Sequence, residues 1–388
     1  MAKKLKLLLF LSIFIFFNNT YSQTEVFWAG IGFLGKYSES EKLYPLSSKI
    51  NDKMCGKKKC LEAFSREVFN KKDFENFKIN FKDLAEVGKD KIGIALGIAY
   101  ERISTEIVNH DDGDEFLTNF TIFGNIIFLN LDDNNFVGSV PVFIRYSYAS
   151  PNELKDNEKF DLFEKLLLTN ELEFNFTQEA AHKLKNYKLP EKDIRFSQII
   201  DFSIDNQAKT DLELNIDSQL WLSQLAQIYE AYLVENTGIF LLPNAIGHVV
   251  GNKLKTKLSS GSREIIIPDT NTKIKASIQK AKVFEKEDKF NFTKCHAIRM
   301  NFVVLDAFDA KTLDSSLINA PCNLIRKENL INNFVTFEKS IIGLLYKVTE
   351  ALESPKGSKD FFKEAVTDGA DDVYKQFIET SSYLKNDL

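Results

Sequence analysis

The chain has 388 residues, 44% of them hydrophobic, and a formal net charge of −5. That length suits two domains better than one, and the apolar share is enough to bury a core in each. The acidic balance argues against a role resting on general attraction to nucleic acid or anionic lipid, although a local basic patch remains compatible with it.

Residues 1–22 read as an address rather than as structure. Lys3, Lys4 and Lys6 precede an apolar run, Leu7 to Phe17, that only Ser12 interrupts. Small residues at alternate positions, Thr20 and Ser22, then complete the layout of a secretory signal peptide cleaved before Gln23. The run is shorter than the roughly 20 apolar residues that a membrane span needs. Cleavage removes three lysines and no acid, taking the formal charge to −8. The expected location is the periplasm or the medium.

The strand expected over Glu25 to Lys36 contains Gly30, Gly32 and Gly35 in the spacing of a dinucleotide fingerprint. Apolar residues continue through Ile31, Phe33 and Leu34, so a strand packed closely on a neighbour is the expected structure. Four cysteines follow in two local pairs, Cys55 with Cys60 and Cys295 with Cys322. In an exported chain an even count reads as disulfides. Loop closure gives ~2 kcal/mol for the short ring and ~3.5 kcal/mol for the long one. Zinc is the weaker reading, because no histidine lies near Cys55 and Cys60 in sequence. Between these two cysteines stand Lys57, Lys58 and Lys59, the densest positive charge of the chain with Lys53 nearby. A closed basic hairpin of this kind reads as a solvated turn before it reads as a contact for an anionic polymer or headgroup.

Helical spacing marks Leu61 to Phe69, and a short helix is expected near Phe81 to Val87. Ile92, Ile94, Leu96, Ile98 and Tyr100 then alternate with Gly93, Ala95, Gly97 and Ala99, a strand with one large and one small face. The apolar parity changes after Arg102, which suggests a bulge. With Phe116–Asn130 and Phe136–Tyr148 this strand forms an antiparallel meander, Pro141 lying near a start or on an edge. Helices are expected over 156–168 and 178–187.

The second half repeats this order. A strand over 194–204 precedes helices from Asp217 to Val234 and from Ala245 to Leu258. Strands follow over 263–268, 273–284, 294–308 and 315–326, and the tail from Leu330 onward is amphipathic helix. Phe128–Asp133 matches Phe302–Ala307 in pattern, and the repeat suggests an internal duplication. The expected fold is α+β: a signal peptide (1–22), two duplicated meander domains covered by helices (23–190 and 191–328), and a helical C-terminal segment (329–388).

No catalytic signature emerges. His110, His182, His248 and His296 fall in four different elements. Asp111, Asp112, Asp114 and Glu115 read as a solvated turn before they read as a calcium loop. Ser277 and Lys280 match S-x-x-K in a strand, where residues three apart face opposite ways. Asn119, Asn175 and Asn291 open Asn-x-Thr sequons. The 34 phenylalanines accompany many Ile, Lys and Asn, as an AT-rich coding sequence produces, and are assigned to the core. The sequence therefore predicts an exported, non-enzymatic binding or assembly protein of the cell envelope. It carries no cofactor, no nucleic acid and no membrane span after cleavage, and its partner is another exported or envelope component. The second reading is an exported hydrolase working from the cleft between the halves.

Overall fold

The computed structural model describes residues 23–385, apart from 36–42, 111–112, 173, 191–193, 213–217, 245, 247–248, 251, 288–290 and 327–332. The expected signal peptide lies outside the described residues. The first half runs β1 (Thr24–Leu34), α1 (Pro45–Asn51), β2 (Met54–Cys55), β3 (Lys58–Lys59), α2 (Cys60–Asn70) and β4 (Phe77–Asn80), then the meander β5 (Ile92–His110), β6 (Gly113–Asn130) and β7 (Phe136–Ser150), with α3 (Asp156–Leu168) and α4 (Phe176–Lys183). The second half runs β8 (Ser197–Ile204), α5 (Asn206–Asp211), α6 (Ser218–Thr237), β9 (Val249–Val250), β10 (Lys253–Leu258) and β11 (Gly261–Ile266). It continues with β12 (Thr272–Glu287), β13 (Asn291–Leu305), β14 (Lys311–Asn319) and β15 (Cys322–Arg326), and closes on α7 (Asn333–Glu353), α8 (Lys359–Ala365) and α9 (Ala370–Lys385). The class is α+β with a helical C-terminal segment.

One sheet is ordered β11-β10-β1-β5-β6-β7 and the other β14-β13-β12-β8, with β15 beside β13. The meanders are antiparallel, but each is preceded by a parallel pair, β1 with β5 and β8 with β12. Period-two patterning cannot show this, because strand direction depends on the connection. Parallel neighbours need a crossover, and helices α1–α2 and α5–α6 lie within the two crossovers. The bulge in β5 sits between Ile98 and Tyr100, short of the expected place. Pro141 is on β7, the last strand of its sheet, where a missing N–H is tolerated.

Two expectations fail. In place of the helix expected over Ala245 to Leu258, the described residues there form strands at Val249–Val250 and Lys253–Leu258, because Lys253-Leu-Lys-Thr-Lys-Leu258 alternates with period two and buries Leu254, Thr256 and Leu258. The helix near Phe81 shrinks to one 3-10 turn, Leu84–Glu86. The misread hairpin also changes sheets. Although it lies in the second half of the sequence, β10 pairs with β1 through Gly32↔Leu258, Phe33↔Lys257 and Leu34↔Thr256.

Phenylalanines do fill the core. In the first half Phe69 packs on Trp28 at 5.0 Å and Phe77 on Phe128 at 5.7 Å between ring centres. In the second half Tyr229 meets Phe302 edge-on at 5.9 Å. Small residues on the far face of β5 admit large neighbours: Gly97 lies under Leu34, and Gly93 under Leu131.

Helix α6 packs between the halves, against β7 on one side and β8 on the other. Trp221, Leu225 and Tyr229 are buried as their spacing predicts, but Gln224, Gln227 and Glu230 are buried too. Asn244 Nδ2 donates to Glu230 Oε2 at 2.9 Å, while Glu230 Oε1 has no hydrogen-bond partner. Burial pushes the Glu230 carboxyl from 4.5 up to about 8 against the hydrogen bonds from Asn244. Between those values the folded chain holds a proton that the unfolded chain has released, so stability is lost as pH rises through this window. The slope reaches about 1.4 kcal/mol per pH unit for one proton. Urea denaturation from pH 5.5 to 8 is expected to show that decline, and Glu230→Gln is expected to flatten it and to be the more stable form at pH 8. An unchanged slope in the variant would contradict the assignment.

Candidate functional site

The outer edge of β1 is paired at its ends and open in its middle. β4 pairs in parallel with Thr24 to Phe27, and β10 pairs antiparallel with Gly32 to Leu34. Among the described residues no strand pairs with Trp28 to Ile31 on that side, and a groove of about 890 Å³ lies over them. Backbone groups left unpaired in a buried strand are costly. Side chains and a turn replace the missing ladder. Ile31 N–H donates to Glu62 Oε2 at 3.2 Å, Ser259 N–H donates to Ile31 O at 2.9 Å, and Ser260 Oγ donates to Ala29 O.

Glu62, in the first turn of α2, is 6% exposed. Trp28 Nε1 donates to its Oε1 at 2.9 Å, Ser259 Oγ donates to its Oε2 at 2.6 Å, and Arg66 Nε completes an i,i+4 ion pair. Arg66 is fixed in turn, donating from Nη1 to Phe81 O at 3.1 Å. One buried carboxylate thus joins β1, α2 and the β10–β11 turn. The glycines of the fingerprint-like motif serve the same approach. A Cβ on Gly30 would lie 2.2 Å from Ser259 Oγ, and one on Gly32 would lie 1.9 Å from Lys257 O. Both glycines are inside β1, so the motif is a strand under a close neighbour and not a phosphate-binding turn.

The rim is basic. Lys57, Lys58 and Lys59 stand on the β2–β3 hairpin, which the Cys55–Cys60 disulfide closes. Lys59 pairs with Asp52 at 3.3 Å, whereas Lys57 and Lys58 have no acidic partner among the described residues. Lys53 turns elsewhere, to Glu164 at 2.7 Å and over the Phe160 ring. Among the described residues, Arg66, Lys82, Lys257 and Arg263 bring the lining to seven cations against two carboxylates, Glu62 and Asp83. A second groove, of about 450 Å³, adjoins this one and shares Ser260 and Arg263 with it.

The other candidates are dispersed. Cys295 and Cys322 form the second disulfide and tie β13 to β15. His296 is buried against Phe337, His182 is exposed on α4, His110 ends β5, and His248 lies outside the described residues. Asp111 and Asp112 also lie outside them. Ser277 and Lys280 are in β12. Asn119 and Asn175 are 3% and 1% exposed, so neither sequon is open to a glycan in the folded chain. Asn175 instead caps α4, its Oδ1 accepting from Thr177 N–H at 2.9 Å and Gln178 N–H at 3.2 Å.

The cleft between the halves is tightly filled. Glu338 on α7 pairs with Arg102 of β5 and accepts from Trp221 Nε1 at 2.8 Å, and Lys339 reaches Glu106 at 3.3 Å. A cavity of about 80 Å³ remains beside them, lined in part by Asn119, Thr121, Phe143 and Gln224.

No protein-family model matches this chain, and no curated protein matches its sequence. Among solved structures, an Ntf2-like protein involved in plasmid conjugation is 10% identical over 62% of this chain and 80% of its own, with a TM-score of 0.12. A lipopolysaccharide-binding protein is 10% identical over 83% of this chain and 89% of its own, with a TM-score of 0.10. Overlaps of that size define no shared fold. No helix among the described residues is long and apolar enough to cross a membrane.

Removing the Glu62 carboxylate leaves the half-buried Arg66 without its ion pair and strands the donors of Trp28, Ile31 and Ser259, at about 1–3 kcal/mol for each one left buried and unsatisfied. Glu62→Ala is expected to lose about 3 kcal/mol or more in urea denaturation. A loss below about 1 kcal/mol, the range of an exposed ion pair, would show that Glu62 does not carry the groove wall.

Proposed function

We propose that this is an exported binding protein of the cell envelope that takes an anionic group in the groove over Trp28 to Ile31. The observation that carries the reading is charge. Among the described residues, a chain with a formal charge of −5 gathers seven cations against two carboxylates around this groove. Fixed positive charge facing a concave wall raises the local concentration of an anion and speeds its capture. Lys57 and Lys58 are held at the rim by a closed hairpin, so less side-chain and loop freedom is lost on binding. Export to the periplasm or the medium rests on the basic, then apolar start of the sequence and agrees with two disulfides.

The hydrolase reading has less to stand on. Its site would be the cleft between the halves, where Arg102, Trp221 and Glu338 satisfy one another around about 80 Å³. Sites for small molecules usually offer roughly 300 Å³ or more.

An internal duplication is part of the same proposal. Both sheets follow strand, helices and meander with the same neighbours, and the bulges after Ile98 and Ile278 each follow the seventh residue of β5 and β12. Aligning on those bulges sets Gly124 against Met300, two residues out of step with the match of Phe128 to Phe302. A two-residue slip keeps the same face inward. Superposing β5–β7 on β12–β14 checks the idea, and helices packed on opposite faces would contradict it.

Titration calorimetry with tripolyphosphate tests the groove. Lys57→Ala with Lys58→Ala is expected to weaken binding about ten-fold and to reduce its salt dependence, on the order of 0.7 kcal/mol per lysine. The matched control removes Lys280 and Lys282, which are exposed on β12, and is expected to leave binding unchanged. Equal losses in both variants would mean that the chain responds to net charge and not to this site.

A further inference from the structure

The anion reading leaves the second groove unexplained, and its chemistry differs from that of the first. It lies where β11 meets the β6–β7 turn: Arg263 Nη1 donates to Asn134 Oδ1 at 2.9 Å, and Ile266 N–H donates to Asn134 O at 3.0 Å. Lys253 and Arg263 are balanced there by Asp133 and Glu264, and Asn134, Ser260 and Ser262 add amide and hydroxyl groups. Glu264 is itself paired with Lys253 at 3.3 Å and Lys255 at 3.5 Å, which holds its carboxyl below the usual range. The two grooves meet at Ser260 and Arg263, so one ligand can occupy both.

That pairing narrows the ligand class. A uniform polyanion entering the second groove would set its charges against Asp133 and Glu264. A wholly neutral ligand would leave the lysines of the first groove without a role. Hydroxyl groups, which both donate and accept, suit carboxylate, amide, serine and guanidinium lining at once. Resting on the anion reading, we infer that the ligand is an anionic glycan carrying sparse phosphate-like charge. Its anionic group sits among Lys57, Lys58 and Lys82, and its neutral sugar residues cross Arg263 into the groove at Asp133, Asn134 and Glu264.

The test is titration of the full mature chain with five-residue oligosaccharides of glucose, mannose and N-acetylglucosamine, each with and without one terminal phosphate. Inorganic phosphate and tripolyphosphate are titrated beside them. At least one phosphorylated oligosaccharide is expected to bind about ten-fold more tightly than inorganic phosphate, with its unphosphorylated form much weaker. Ser262→Ala with Glu264→Gln is expected to remove most of that gain without weakening inorganic phosphate binding. Phosphorylated oligosaccharides that bind no better than inorganic phosphate, with tripolyphosphate tightest, would overturn the glycan inference and keep the anion site. A gain that survives in the double variant would also overturn it, because the sugar would then lie elsewhere. No binding by any phosphate-bearing probe would overturn the inference and the anion reading together.

Discussion

β1 is hydrogen-bonded along its outer edge to β4 at one end and to β10 at the other, and the segment between them depends on Glu62. A continuous strand on that edge would satisfy the backbone and leave no groove. The interruption does the opposite: it leaves a groove over a buried strand and obliges a carboxylate and two serines to complete the hydrogen bonding. Because Glu62 spends its acceptors on Trp28, Ile31, Arg66 and Ser259, little of its negative charge is offered to the groove. The surrounding lysines therefore dominate the field.

The same constraint explains why the two halves are not independent. The β9–β11 segment belongs to the second half by sequence, yet it closes the edge of the first sheet and carries Lys257, Ser259, Ser260 and Arg263 into the site. Glycine at positions 30 and 32 is what allows that backbone to come so close. On the other side, α6 and α7 are held to the first sheet through Arg102, Glu338 and Trp221. A chain cut between the halves would lose part of the groove with either piece.

How much of this could be read beforehand depends on the range of the interaction. Local signals worked. Alternation from Ile92 to Tyr100 marked β5, the short spacing of Cys55 and Cys60 marked a closed ring, and Lys57 to Lys59 marked its charge. The closeness of a neighbour was visible in the glycines, although not which neighbour. Long-range pairing was invisible, since nothing around Lys253 to Leu258 names β1 as its partner. Glu62 gave no signal either, because an acid in the first turn of an amphipathic helix ordinarily faces water. The burial of Gln224, Gln227 and Glu230 escaped for a related reason. A helix with one apolar and one polar stripe reads as a surface helix unless a second body covers the polar side.

The most direct measurement is hydrogen–deuterium exchange of the chain from Gln23 onward with and without saturating tripolyphosphate, resolved by mass spectrometry. Added protection is expected only in the hairpin and first turns of α2, in the segment around Lys82, and in the β10–β11 turn. These regions are remote in sequence and are brought together only at the interrupted edge of β1. Protection centred on the second sheet, or spread evenly over the basic residues of the chain, would contradict it.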